Sequence, residues 1–357
     1  MTRATEVAVV DPQHPDGEVL ARAGALLRAG QLVAFPTETV YGLGANALDA
    51  AAVAGIFAAK GRPADDPLIV HIAELGQLDA LLAAPPPVAA TLAARFWPGP
   101  LTLVLPAGSA VPRNVTAGLD TVAIRMPAHA VALGLIRAAG VPVAAPSANL
   151  FTRPSPTRAA DVAADLGGRI ALILDGGPTE HGVESTVLDL VGDPPRILRP
   201  GALTLEQLRA VLPDLAASAG TREGSGPQRS PGTLLKHYAP RATMVVFDGA
   251  DAGRVLAALA AEARAARAAG QAVGLLLADE DLAALADLRP GPDLITAALG
   301  PAADLAAQGH RLFAALRDLD RAGAGLILAR APAPGGLGLA LRDRMRRAAS
   351  GRVRLVE

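Results

Sequence analysis

Along the chain, short runs of β-branched and aliphatic residues alternate with longer Ala/Leu stretches in which apolar positions recur every three or four residues. That alternation is the pattern of an α/β protein built on a substantially parallel sheet. In the first half the apolar runs predict strands at Gln31–Phe35, Leu68–Ile72, Leu101–Leu105, Thr121–Arg125, Pro142–Ala145, Ile170–Leu174, Ser185–Leu190 and Arg196–Arg199. Asp49 is placed to cap a helix running to about Lys60, with Val53, Ile56 and Phe57 on one face. From Pro213 to Arg241 the periodicity lapses into Gly, Ser, Pro and charge, the composition of a linker. Beyond it, TMVVF, AVGLLLA, DLITAAL, AGLILA and RVRLV alternate with Ala/Arg helices at Asp251–Ala269 and near Ala302–Leu319, which predicts a small Rossmann-like unit. The expected division is a first domain over 1–212, a linker or lid over 213–241 and a second domain over 242–357.

A length of 357 residues suits two domains, and 51% hydrophobic residues with a mean hydropathy of +0.33 exclude general disorder. Lys and Arg total 33 against 34 Asp and Glu, so the broad basic surface of a non-specific nucleic-acid binder is not expected. With no cysteine, disulfides, thiol nucleophiles and Cys-ligated metal sites are excluded together. The opening MTRATEVAVVDPQHPDGE has no signal-peptide core, and other apolar stretches break before about 18 residues, so a cytoplasmic location without membrane contact is expected. Against an Ala/Arg/Leu/Gly background, only two lysines (Lys60, Lys236) and two tyrosines (Tyr41, Tyr238) occur, all in polar stretches marked by Gly or Pro or at their edge.

Several familiar chemistries are missing: there is no GxxxxGKS/T phosphate loop, no HExxH zinc helix and no GxSxG nucleophile elbow. Gly42 to Ala47 fits GxGxxA, but the six residues Pro36–Tyr41 intervene where a dinucleotide fold needs a tight turn. The six histidines have no helical metal-ligand spacing, so no protein-built metal site is expected.

What remains is a set of polar clusters at the ends of predicted elements. FPTETVYGLG ends the first strong strand with two hydroxyls, a carboxylate and a phenol. Lys60-Gly61-Arg62-Pro63 puts an ammonium and a guanidinium on a stiffened loop, suited to a polyphosphate or to a solvated helix C-terminus. His71 ends the next strand, as a core histidine or a ligand contact. Arg125 ends another; its fork suits a substrate carboxylate or a structural acid. Pro146-Ser147-Ala148-Asn149 and Pro154-Ser155-Pro156-Thr157 make hydroxyl-bearing loops that could meet a nucleotide or serve as ordinary turns. Glu184-Ser185-Thr186 opens a strand, Arg199-Pro200-Gly201 closes the next, and PGTLLKHYAP gives the linker Lys236, His237 and Tyr238, the chemistry of a lid more than of an inert tether. Many cations and hydroxyls without a nucleophile or general-base dyad suit phosphoryl or nucleotidyl transfer, which needs positioning and charge neutralisation.

FPTETVYGLGANA, KGRP with PLIVHI, WPGPLTLVL, VAIRMP, PSAN with PSPT, ESTVLDL, RILRPG and GTLLKHYAP follow one another in this order. In this set the sequence resembles the long form of threonylcarbamoyl-AMP synthase, from Gln31 to Gly201 and through the linker motif; the tail agrees in size and pattern. The resemblance implies a YrdC-type α/β fold, an open twisted sheet with a concave, positively charged cavity, followed by a smaller Rossmann-like domain. It implies synthesis of L-threonylcarbamoyladenylate and pyrophosphate from L-threonine, bicarbonate and ATP. The product would pass to a tRNA threonylcarbamoyl-transferase system without direct tRNA binding.

Carried over by position, the resemblance assigns Thr39, His71, Arg125, Ala145 and Ser185 to threonine. It assigns Arg62, Asp66, Thr121, Ser147, Asn149, Ser155 and Arg199 to ATP, with His237 and Tyr238 covering the nucleotide. Lys60, Arg62 and Arg199 are the expected catalytic cations, and Mg2+ is expected, bound mainly through ATP phosphates. Two places depart from the family pattern: Asp66 stands where Asn is common, and Phe151-Thr152 where Ser-Gly is usual. A nucleotide- or double-stranded-RNA-binding relative without synthase activity is the alternative, but it calls for a basic surface that the charge balance does not supply. Carbamoyl transfer of the hydrogenase-maturation kind needs zinc fingers, which a cysteine-free chain cannot build.

Overall fold

The computed structural model describes residues 4–216, 228–232, 237–288 and 291–357. Their contacts divide the chain into two compact units, Met1–Phe151 with Ser155–Thr233 and Thr152–Pro154 with Leu234–Glu357.

The first unit contains β1 (Glu6–Val9), β2 (Val33–Phe35), β3 (Gly42–Asn46), β4 (Ile69–His71), β5 (Leu101–Pro106), β6 (Thr121–Arg125), β7 (Val143–Ala144), β8 (Leu172–Asp175), β9 (Thr186–Asp189) and β10 (Arg196–Arg199). They form one ten-stranded sheet in the order β1-β8-β2-β3-β7-β4-β6-β5-β9-β10. β1–β8, β2–β8, β4–β6 and β5–β9 pair in parallel. β2–β3, β3–β7, β4–β7, β5–β6 and β9–β10 pair antiparallel. The mixture corrects the expectation of a substantially parallel sheet in this unit. A parallel return needs a crossover of about a dozen residues or more, and only the six residues Pro36–Tyr41 join β2 to β3.

β3 has no counterpart among the predicted strands because its sequence, GLGAN, has the look of a loop. A Cβ on Gly44 would stand 2.9 Å from both Phe35 Cε1 and Val143 Cγ1, so the strand lies close to its neighbours only with glycine there. The same glycines therefore belong to a strand interior and not to a dinucleotide turn. β1 was equally invisible to periodicity, since it is an edge strand whose Val7 and Val9 are exposed. Asp49 does cap the Ala50–Lys60 helix, accepting from Ala51 N and Ala52 N, and Gly61 ends it in the left-handed conformation. That helix buries Val53 and Ile56 with Leu43, Val70 and Ile124 in one core cluster. The Gly17–Arg28 and Ala130–Ala139 helices pack Leu20, Leu27, Val131 and Leu135 with Val33 and Phe35 in another. Alternation along β2, with Ala34 in the first cluster and Val33 and Phe35 in the second, follows from the two-residue period of a strand.

In the second unit, β11 (Thr243–Asp248), β12 (Val273–Leu277), β13 (Leu294–Ala298), β14 (Leu326–Arg330) and β15 (Val353–Leu355) form a sheet ordered β13-β12-β14-β11-β15. Every pairing is parallel, as the Rossmann-like expectation requires. β12 is buried throughout, which is why it is an uninterrupted apolar run. Among the described residues no helix is long and apolar enough to cross a membrane.

Candidate functional site

β4 and β6 run side by side, and their C-terminal residues His71 and Arg125 are register partners. Arg125 donates from Nη1 to Thr39 Oγ1 at 2.9 Å and from Nε to the Gly99 carbonyl at 3.2 Å. Its Nη2 lies 2.6 Å from Glu38 Oε1, an ion pair with both side chains buried. Thr39 reaches this position because Thr37 folds the β2–β3 connection: Thr37 Oγ1 accepts from the N–H groups of Thr39 and Val40 and donates to the Val40 carbonyl at 2.7 Å. Burial opposes ionisation of Glu38, but the charge and hydrogen bonding of Arg125 outweigh it and hold the carboxyl below its usual range. Burial, reinforced by the Arg125 charge, pushes His71 down to about 3, so its imidazole is neutral. Ala145, just after β7, donates its N–H to the Ile69 carbonyl at 2.9 Å.

Arg62 and Asp66 precede β4. Arg62 Nη2 is 2.9 Å from Asp66 Oδ2, and the same guanidinium donates to the carbonyls of Asp66 and Pro67. The carboxylate at 66 is thus matched by a cation. Burial nevertheless raises the Asp66 carboxyl, against the pull of Arg62 and Lys60. Lys60, itself buried, donates Nζ to the carbonyls of Ser147 at 2.5 Å and Asn149 at 2.6 Å, while Ser147 Oγ donates to Asn149 Oδ1. A backbone bridge between Gly42 and Ser147 ties this loop to the turn that carries Thr39.

Arg199, the last residue of β10, clamps Ser185: Nε and Nη2 donate to its carbonyl at 3.2 and 3.0 Å, and Nη2 to its hydroxyl at 3.2 Å. Nη1 donates to the Pro231 carbonyl at 3.4 Å. Ser185 Oγ lies 2.7 Å from Thr102 Oγ1, and Ser155 Oγ donates to Glu184 Oε1 at 2.6 Å. Thr121 opens β6, at the other end from Arg125, and among the described residues makes no side-chain bond to another predicted site residue. His237 and Tyr238 make their ring contacts within the second unit, 4.1 Å apart, with Tyr238 5.2 Å from Phe313 and under the Arg344 guanidinium. Lys236 lies outside the described residues. Direct contacts therefore join Thr39 with Arg125, Lys60 with Ser147 and Asn149, Arg62 with Asp66, and Ser185 with Arg199.

Residues 25–201 match the family model described as telomere recombination, that of the Sua5, YciO and YrdC proteins, and residues 203–350 match that of the threonylcarbamoyl-AMP synthase C-terminal domain. Over 353 residues the chain is 46% identical to the threonylcarbamoyl-AMP synthase of Bacillus subtilis, covering 99% of each. The chain belongs to the threonylcarbamoyl-AMP synthase family. The synthase of Pyrococcus abyssi is 47% identical over 339 residues, 93% of this chain and 94% of that one. A crystal structure of P. abyssi Sua5 complexed with L-threonine superposes with a TM-score of 0.92 at 44% identity, covering 99% of this chain and 100% of its own.

Three residues of this threonylcarbamoyl-AMP synthase family member enter the site unforeseen as partners. Glu38 neutralises Arg125; the signal was its place between two threonines in FPTETV, one residue from Thr39. Glu184 takes the Ser155 hydroxyl and stands in the ESTV motif. Thr102 meets Ser185 from within LTLVL, where nothing in the sequence sets it apart from other strand threonines. The phenol of Tyr41, which looked like site chemistry, instead donates to the Gly177 carbonyl at 2.6 Å, and burial followed by the charge of Asp175 raises it.

Proposed function

We propose that this chain joins L-threonine, bicarbonate and ATP into L-threonylcarbamoyladenylate with release of pyrophosphate. The observation that carries the reading is the full-length likeness to a structure complexed with L-threonine. Arg125 receives the threonine carboxylate, held in place by Glu38 and Thr39. Neutral His71 adds no cation to compete with the threonine ammonium. Ala145 and Ser185 complete the threonine side.

The threonine amine and bicarbonate give a carbamate and water. A carbamate oxygen then bonds to the α-phosphorus as the bond to pyrophosphate breaks. Arg62 and Arg199 offset the charge on the phosphates, and Lys60 holds the 147–149 loop at the nucleotide while adding its own charge. Asp66, Thr121, Ser147, Asn149 and Ser155 line the ATP side. Among the described residues no group of three or more His, Cys, Asp or Glu is arranged to hold a metal ion. Magnesium would be carried mainly on the triphosphate, where it supplies charge neutralisation.

The 213–241 linker, of which 217–227 and 233–236 lie outside the described residues, acts as a lid. Supporting this, Arg229 lies 3.2 Å from Asp189, and the Pro231 carbonyl takes a hydrogen bond from Arg199. The reaction takes place in the cytoplasm, and the product goes to the enzymes that modify tRNA. Pyrophosphate release from ATP is expected only when threonine and bicarbonate are both present. Equal release with serine, or release without bicarbonate, contradicts the proposal.

A further inference from the structure

The C-terminal ends of the second unit's strands enclose a cavity of about 320 Å³ that belongs to none of the adenylate chemistry above. Its position has a topological cause. β12 and β14 are neighbours, but the chain leaves β12 toward β13 on one side and leaves β14 toward β15 on the other. Connections that part in opposite directions open a crevice beyond the strand ends, the usual place for a ligand in an open parallel sheet.

Two ion pairs border the cavity. Arg330 Nη1 lies 2.6 Å from Asp281 Oδ1, and Arg342 pairs with Asp248 while donating to the Pro332 carbonyl at 2.8 Å. Arg330 and Arg342 remain 27% and 29% exposed, so both keep donors open to a guest. Ala278, Leu299 and Ala302 contribute apolar walls, and among the described residues no aromatic ring lines the space. Two cations matched by two anions give the lining no net charge, which favours a zwitterion over a polyanion. A nucleobase finds no ring on which to stack. A guest with one carboxylate, one ammonium and a compact apolar body meets a complement for each part.

We infer that this cavity binds a free α-amino acid, its carboxylate on a guanidinium, its ammonium on an aspartate and its side chain against the alanine and leucine wall. The test is calorimetric titration of the full-length chain with each of the twenty amino acids, inorganic phosphate and AMP. It is repeated on Arg330→Gln and on Ala302→Phe, which narrows the cavity at an exposed position without touching an ion pair. Thermal melts establish that both variants are folded. At least one amino acid is expected to show a binding step that both variants weaken tenfold or more. The inference is overturned if no amino acid has a step that both variants weaken, or if phosphate or AMP shows that sensitivity in its place.

Discussion

At the scale of single residues, Arg125 is fixed by a carboxylate, a hydroxyl and a carbonyl before any substrate arrives. Arg125→Ala leaves Glu38 buried without its cation, and loss of one member of such a pair costs about 3–5 kcal/mol. Urea unfolding is expected to report that loss. In the protein that remains folded, the threonine requirement should rise at least tenfold while ATP binding stays within about twofold; an unchanged threonine titration refutes the assignment. His71 makes a prediction of opposite character. Its pKa is about 3 in the folded chain against 6.5 for the free group. Between those values the unfolded chain binds more protons, so His71 lowers stability as pH falls below 6.5, by up to about 1.4 kcal/mol per pH unit. Glu38, held low, contributes stability above its ordinary range and loses it only at lower pH, while His129, lowered by burial, works in the same direction as His71, so the share of His71 is read as the difference between parent and variant. Urea midpoints between about pH 6.5 and about pH 5 should slope less in His71→Gln than in the parent chain. The residue types of this cluster stood out in the sequence. The choice between a substrate and a structural anion for Arg125 did not, because its acidic neighbour comes from another strand connection.

Among elements, those with a strong local signal formed where the pattern placed them: the capped Ala50–Lys60 helix, β6 over Thr121–Arg125 and β10 over Arg196–Arg199. β1 and β3 did not show, one because an exposed edge carries no apolar code and the other because close packing demanded glycine. Thr152 is the reverse case, a residue that disagrees with its own backbone. Its φ is +70°, a conformation that favours glycine, and its carbonyl accepts from Ala239 N at 2.6 Å. The left-handed region costs a non-glycine residue about 1–2 kcal/mol, more when it is β-branched. Glycine returns part of that gain as backbone entropy. Thr152→Gly is therefore expected to stabilise the chain by about 1 kcal/mol in thermal or urea unfolding, and a destabilised variant shows that other contacts hold the strained turn.

For the whole molecule, the linker motif is where the proposed chemistry and the second unit come into question together. Tyr238 is buried against Phe313 and Arg344, so Tyr238→Ala is expected to cost about 3 kcal/mol or more. If the segment is a lid, the same variant should also release bound adenylate about tenfold faster in a pulse-chase measurement; unchanged release makes it a passive tether. Periodicity, caps and ordered motifs depend on residues near one another in the chain, and those the sequence determined by itself: two α/β units, a capped helix, and the cations and hydroxyls at element ends. Tertiary structure alone decided the mixed strand order, the glycine packing of β3, the pairing of Arg125 with Glu38 and of Asp66 with Arg62, and the cavity at the strand ends of the second unit. Each of those depends on which surfaces meet once the chain has closed, and burial then fixes the charge each group carries.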